Sequence, residues 1–201
     1  MTVVIVKPGW GNVSTRASTT RTDMIVGAAR LLSRRGLQAT SFSEVLAATG
    51  APRGSLYHHF PGGKDELVAE ATRLVGAQLL EVLARARPAT PGEVAELFTS
   101  VWRGVLAGSD LEAGCAVAAV TIDAGADQGE LVALAGRVFE EWQGALASLL
   151  EHTGVEPRRA ADLALLLLVS MEGSLVLCRA QRSLEPFDRV TAQLVGLVGL
   201  T

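Results

Sequence analysis

The sequence predicts an all-α protein of about nine helices. Apolar residues recur three and four positions apart through most of the chain, the spacing expected on one face of a helix. Gly and Pro residues interrupt this pattern and mark the connections between helices. Strand signals are nearly absent, since β-branched residues cluster only at residues 3–6 and do not alternate cleanly with polar ones.

The first part of the chain is predicted to form an arm and three helices. Residues 1–17, which include Pro8, Gly9 and Gly11, predict a flexible arm. A first helix begins at a threonine cap and ends at residues 34–36, where two arginines precede a glycine. A second, short helix has a serine cap and stops at Gly50. A third, with proline in its first turn, is expected over residues 52–60.

The remaining sequence predicts six more helices, three of them beginning at a proline. The expected ranges are 65–87, 91–107, 115–124, about 130–152, about 157–182, and from 186 onward. The longest apolar run, 163–178, is sixteen residues long and contains Glu172. Because a membrane-spanning helix needs about twenty apolar residues, this run is interpreted as a buried helix.

Charge is distributed unevenly along the chain. The total is −3, yet residues 1–64 carry a net charge of +6 and residues 65–201 a net of −9. A basic N-terminal part suits a partner rich in phosphate, such as DNA. The same split is also compatible with surface solubility alone. Cys115 and Cys178 follow no metal-binding spacing, so we expect two reduced core cysteines in a cytoplasmic protein, with no metal and no cofactor.

Residues 36–67 hold the most informative pattern. Two short predicted helices meet at a turn containing Gly50, and Leu56 on the second helix faces inward. This arrangement is typical of a helix-turn-helix, in which small turn residues allow the helices to cross closely. The exposed N-terminal half of the second helix would then enter the major groove of DNA.

This stretch resembles the TetR family of repressors. The residues that carry the resemblance are Gly54, Leu56, Tyr57, His59, Phe60, Lys64, Glu66 and Leu67. The match covers about residues 20–75, and residues 112–120 with Glu172 and Gly173 resemble the LmrA/YxaF-type C-terminal domain of that family. The resemblance implies an obligate dimer, a palindromic operator and release by a small ligand. The expected domains are the arm, a helix-turn-helix domain over 18–65, and a ligand-binding and dimerisation domain over 66–201.

The predicted DNA-binding residues combine this resemblance with the chemistry of each side chain. Arg53 can bridge the O6 and N7 atoms of guanine, and Gly54 lets the backbone approach the groove. Hydroxyl, imidazole and ammonium groups, with helix N-terminal amides, would contact phosphates. The full predicted set is Thr40, Ser41, Pro52, Arg53, Gly54, Ser55, Tyr57, His58 and Lys64.

Each of these residues has an alternative interpretation. Tyr57 and Phe60 are also suited to core packing. His58 and His59 are potential zinc ligands, but neighbouring positions on a helix point about 100° apart and no third ligand is near in sequence. Residues 62–65 superficially resemble a phosphate-binding loop but lack its spacing and its preceding strand.

The C-terminal part contains more aromatic and adaptable apolar residues than a minimal helical bundle needs. Such residues line ligand pockets between helices, with a few polar groups for orientation. The predicted pocket residues are Phe98, Val101, Trp102, Val105, Cys115, Asp123, Phe139, Trp142, Gln143, Leu146, Met171 and Glu172. Plain core packing is the alternative for each apolar member. Glu172 should meet a ligand, a basic side chain or a dimer partner, because a buried carboxylate is costly alone.

The last two helices are more apolar than one bundle can cover, and Gly173 and Ser174 would permit close helix approach. A two-fold dimer through these helices would match a palindromic site. The sequence therefore predicts a DNA-binding repressor released by a small apolar or aromatic effector. No catalytic constellation is evident, so we do not expect an enzyme. Two alternatives stay open: a helical carrier whose basic part contacts a protein, and a small enzyme using Glu172 as acid or base.

Overall fold

A computed structural model describes residues 16–200, and over this range the chain forms nine α-helices and no strand. They are α1 (Arg16–Arg35), α2 (Phe42–Thr49), α3 (Arg53–His59), α4 (Gly63–Arg85), α5 (Pro91–Ala107), α6 (Ala116–Asp123), α7 (Gly129–His152), α8 (Pro157–Gln181) and α9 (Glu185–Gly199). The predicted all-α class and helix order are confirmed. The predicted arm lies outside the described residues except for residues 16 and 17, which begin α1.

The described chain divides into two compact units, and the division falls within α4 and within α7. Residues 16–77 and 115–138 form the first unit, and residues 78–114 and 139–200 form the second. The predicted boundary between residues 65 and 66 differs from this division. The segment 115–138 joins the first unit despite its distance in sequence, since α6 packs against α1.

In the first unit, α1 packs against α2 as well as α6. The helix α1 ends at Arg35 and is followed by Gly36. The φ of Gly36, +80°, lies in the left-handed region that glycine adopts without strain. The helix α4 starts at Gly63, earlier than the acidic pair at 65–66 that marked its predicted start. Glu66 Oε2 accepts a hydrogen bond from the Gly62 amide at 2.8 Å, which explains the earlier start.

In the second unit, α9 packs against both α5 and α8. Prolines begin α5 and α8 as predicted, and each start has a capping side chain. Glu156 accepts hydrogen bonds from the Arg158 and Arg159 amides, both at 3.0 Å, and these donors lower the pKa of its carboxyl.

The helix α8 is long and apolar enough, by length and composition, to cross a membrane. In its most apolar window, 44% of the residues are buried inside the protein, including Leu167 and Met171. The prediction of a buried helix therefore holds for one side of α8 only. One face of α8 nevertheless carries exposed apolar side chains, which are described with the functional site.

Candidate DNA-binding surface and sensor core

The helices α2 and α3 are built around a glycine turn. Ser41 Oγ accepts a hydrogen bond from the Glu44 amide at 3.2 Å and caps the start of α2. Gly50 ends α2 with φ +69°, and its amide donates to the Leu46 carbonyl oxygen at 2.8 Å. Leu56 of α3 is 1% exposed and so fixes the inner face of that helix. The local sequence thus forms the predicted helix-turn-helix.

The opposite face of α3 is open to solvent. Pro52, Arg53, Gly54 and His58 are exposed, and Tyr57 is 72% exposed. Arg53 makes no ion pair with any described residue, so its five N–H donors are available. No atom lies within 4 Å of a Cβ placed on Gly54. This face can therefore approach a groove closely.

Two residues of α3 contact neighbouring groups, one through a side chain and one through the backbone. The Tyr57 ring meets Phe42 of α2 edge to face, with ring centroids 5.7 Å apart. Ser55 is half-buried, and its hydroxyl donates to the Pro52 carbonyl oxygen at 2.6 Å. The Tyr57 ring is thus packed against Phe42 while most of its surface is open to solvent, and its contact with a phosphate or sugar stays a prediction.

The position of Thr40 differs from its predicted role as a phosphate-contacting hydroxyl. Its side chain is 1% exposed, and its hydroxyl donates to the Gly36 carbonyl oxygen at 2.8 Å. The hydroxyl therefore stabilises the turn between α1 and α2 and does not face solvent. Lys64 is also engaged inside the protein, because its Nζ donates to the Leu37 carbonyl oxygen at 2.8 Å. An ammonium group has two further donors, so a phosphate contact by Lys64 stays a prediction.

The predicted effector residues are divided between the two units. Cys115 and Asp123 belong to the first unit. Cys115 Sγ caps α6 by accepting from the Ala118 amide at 3.4 Å. Asp123 has a different partner from the predicted effector, since its Oδ2 accepts from the Leu37 amide at 2.8 Å. Their part in an effector site stays a prediction, and the Asp123 carboxylate is already used.

The other ten predicted effector residues belong to the second unit. Four of them form an aromatic cluster between α5 and α7: Phe98, Trp102, Phe139 and Trp142. The Trp102 and Trp142 rings lie 5.9 Å apart, nearly edge to face. Val101, Leu146 and Met171 are fully buried, whereas Val105, Gln143 and Glu172 are half-buried.

Enclosed side-chain atoms of the second unit without a hydrogen-bond partner among the described residues include Thr191 Oγ1 of α9 and two further atoms. Trp102 Nε1 and Gln78 Oε1 are enclosed and have no hydrogen-bond partner among the described residues. A buried polar group without a partner costs about 1–3 kcal/mol, and a part for these two atoms in effector binding stays a prediction. Sequence reasoning missed Gln78. The available signal was a glutamine on the apolar face of α4, three residues after the buried Val75.

An apolar surface runs along the outside of α8. Its exposed members recur at helical spacing, and Gly173 lies open on the same side. We call this surface the α8 face: Leu165, Leu166, Val169, Gly173, Val176 and Leu177. Part of it borders an open groove of about 780 Å³ between α8 and α9, whose lining includes Leu194 and Leu197. Exposed apolar surface along a helix is a candidate interaction site.

The capped α2, the left-handed glycine turn and the exposed α3 define a DNA-binding protein of the helix-turn-helix class. The family model for bacterial regulatory proteins of the tetR family matches residues 24–71. The family model for the C-terminal domain of LmrA/YxaF-like transcriptional regulators matches residues 91–193. The chain belongs to the TetR family of transcriptional regulators, with an LmrA/YxaF-like C-terminal domain.

Individual relatives agree with this assignment. The chain is 37% identical over 183 residues to the uncharacterized HTH-type transcriptional regulator Rv0196 of Mycobacterium tuberculosis, covering 89% of this chain and 93% of that protein. It is 23% identical to the HTH-type transcriptional regulator LmrA of Bacillus subtilis, over 89% of this chain and 96% of that one. The crystal structure of regulatory protein TetR from Rhodobacter sphaeroides has the same fold, with a TM-score of 0.76, 22% identity and coverage of 90% and 98%.

Proposed function

We propose that this chain is a cytoplasmic repressor that binds a palindromic operator as a homodimer and is released by a small apolar or aromatic effector. The observation that carries the proposal is the outer face of α3. There Arg53 is exposed and without an ion pair among the described residues, and Tyr57 on the same helix is 72% exposed. An arginine in this position suits guanine recognition, and the aromatic hydroxyl suits the backbone.

The α8 face supports the homodimer. A second copy can cover this apolar surface with the same surface of its own, as a two-fold interface requires. Gly173 presents no side chain and so allows the two helices to approach closely. A dimer formed in this way would present two copies of α3, and two half-sites in inverted order would match them.

The aromatic cluster and the two enclosed polar atoms support the effector. Trp102 Nε1 offers a donor beside the aromatic cluster, and Gln78 Oε1 offers an acceptor in the same unit. A flat, mostly apolar molecule with a carbonyl or hydroxyl group would satisfy either atom. Such a molecule weakens DNA binding only if it binds better to the arrangement that does not fit the operator.

Selection of DNA from a random duplex library by the full chain tests the DNA-binding part of the proposal. We expect an inverted repeat whose half-site centres are about 10 base pairs, or one helical turn, apart. Sequence-independent recovery, or a single unrepeated half-site, would contradict a dimeric operator-binding repressor. A thermal-shift screen of aromatic compounds then tests release, because stabilising compounds should weaken binding to the selected DNA.

A further inference from the structure

The turn between α1 and α2 is held from a distant part of the sequence. Asp123, at the end of α6, accepts a hydrogen bond from the Leu37 amide at 2.8 Å through Oδ2. In return, Gln38 Nε2 donates to the Asp123 backbone carbonyl oxygen at 2.9 Å. These two bonds join residues 85 and 86 positions apart within the first unit. They connect the corner between α6 and α7 to the turn that precedes α2.

A second pair of bonds extends this connection to the start of α4. Lys64 Nζ donates to the Leu37 carbonyl oxygen at 2.8 Å, so Leu37 is bound on both its amide and its carbonyl side. Gln128, in the same α6–α7 corner, donates through Nε2 to Asp65 Oδ1 at 2.7 Å. The turn before α2 and the beginning of α4 therefore share one hydrogen-bonded support, which flanks the helix-turn-helix on both sides.

The fit between Asp123 and the turn leaves no spare room. A Cβ placed on Gly36 would lie 2.2 Å from Asp123 Oδ2, far inside van der Waals contact. A hydrogen bond from an amide to a carboxylate is also stronger than one between neutral groups. A small movement of the α6–α7 corner would thus either pull the turn along or break a strong bond.

We propose that Asp123 is a positioning residue that couples the α6–α7 corner to the orientation of α2 and α3, and so sets operator affinity without touching DNA. The proposal rests on the proposed function, since it assigns a regulatory contact to the same DNA-binding surface. Coupling between two sites is reciprocal. Operator binding at α3 therefore alters the corner, residues 123–128, just as a change at the corner alters binding.

Asp123→Ala tests this proposal, with Asp127→Ala as the matched control. Both variants remove one carboxylate from the same corner, but Asp127 is exposed and makes no hydrogen bond to the α1–α2 turn or α4 among the described residues. Loss of a negative charge by itself favours DNA binding. Weaker binding by Asp123→Ala therefore cannot come from the charge. We expect roughly tenfold weaker binding to the selected DNA for Asp123→Ala, and no weakening for Asp127→Ala.

Hydrogen exchange supplies the readout that a merely structural role would not change. In the wild-type protein, the selected DNA should slow amide exchange in residues 123–128, although these residues lie outside the DNA-binding face. Asp123→Ala should abolish that slowing and speed exchange in the peptide containing residues 36–38. The wild-type experiment needs no variant. It therefore tests the coupling between operator binding and residues 123–128 even if Asp123→Ala does not fold.

Three outcomes would overturn the coupling. They are equal affinity of the two variants for the selected DNA, wild-type exchange at the corner that DNA leaves unchanged, and unaltered exchange at residues 36–38 in Asp123→Ala. In each of these the wild type still selects DNA, so the proposed function stands. If the wild type selects no sequence at all, the proposed function fails and the coupling fails with it.

Discussion

Lys64 Nζ and the Leu37 carbonyl oxygen lie 2.8 Å apart, joined by a hydrogen bond that spans 27 residues of sequence. The bond ties the first turn of α4 to the turn before α2. Because these elements flank the helix-turn-helix, the position of α3 depends on contacts made outside the two short helices. The carbonyl oxygen is part-buried, so solvent only partly replaces the bond when it is lost.

Replacing Lys64 with methionine should therefore lower the stability of the protein. We expect a loss of about 1–3 kcal/mol in the free energy of unfolding, because a charge-assisted bond to a part-buried acceptor disappears. Urea unfolding followed by circular dichroism measures it. Arg73→Met is the control, since Arg73 pairs with Glu70 on an exposed surface and such a pair contributes about 0–1 kcal/mol. Equal losses in the two variants would refute a structural role for Lys64.

Alanine at Gly36 should be more damaging than alanine at Gly63. Both glycines have left-handed φ values, +80° and +79°, so each substitution carries the same backbone cost of about 1–2 kcal/mol. Only the Gly36 methyl group collides with Asp123, whereas the Gly63 position is open. We expect a clearly larger loss of unfolding free energy for Gly36→Ala. Part of the difference should be recovered in Gly36→Ala/Asp123→Ala, and equal losses for the single variants would disprove the collision.

A charge on the α8 face should dissociate the proposed dimer. Val176→Glu places a carboxylate in the middle of a surface that would be buried between two apolar helices, and burying an unpaired charge is costly. We expect sedimentation velocity to show a dimer for the wild type and a monomer for this variant. Val132→Glu on α7 is the control, since Val132 is also exposed but lies off the α8 face. A Val176→Glu protein that stays dimeric would place the interface elsewhere.

Cys178 should react slowly with thiol reagents in the folded protein. Its side chain is fully buried, and burial is the main cause that raises the pKa of its thiol. A raised pKa leaves less of the reactive thiolate at pH 8, and burial blocks access as well. Mass spectrometry of the peptide containing residue 178 should show labelling at least about tenfold slower than in urea-unfolded protein. Similar rates in both states would contradict the buried position.

The helices could be predicted because local residue types determine many of their ends. Prolines at 91 and 157 and the glycines at 36 and 50 mark real boundaries, since proline fits a first turn and glycine accepts the left-handed conformation. Two starts differ from the prediction, those of α1 and α4. The helix α1 begins at Arg16 rather than at a threonine cap, because no strong stop signal precedes it.

The contacts of the site were harder to predict than its location. Exposure of Arg53 and Tyr57 follows from their place on a short amphipathic helix with Leu56 inside. The partner of Asp123 lies 86 residues away, and no local pattern encodes such a distance. Thr40 was misassigned for a related reason: a threonine beside a helix start can face phosphate or its own backbone, and tertiary burial decides. Leu111 adopts φ +63°, which its residue type does not favour.

Fluorescence anisotropy tests most directly whether α3 reads DNA. Binding of the full chain to its selected DNA and to a scrambled duplex is measured across a salt series. The proteins compared are the wild type, Arg53→Ala and the control Arg85→Ala. We predict that the wild type prefers the selected DNA and that Arg53→Ala loses about 1–3 kcal/mol of that preference per half-site, because a guanine contact disappears. Arg85→Ala, which removes the same charge from the end of α4, should behave like the wild type. Equal binding of the wild type to both duplexes, or an Arg53→Ala protein with undiminished preference, would contradict the assignment of α3 as the DNA-reading helix.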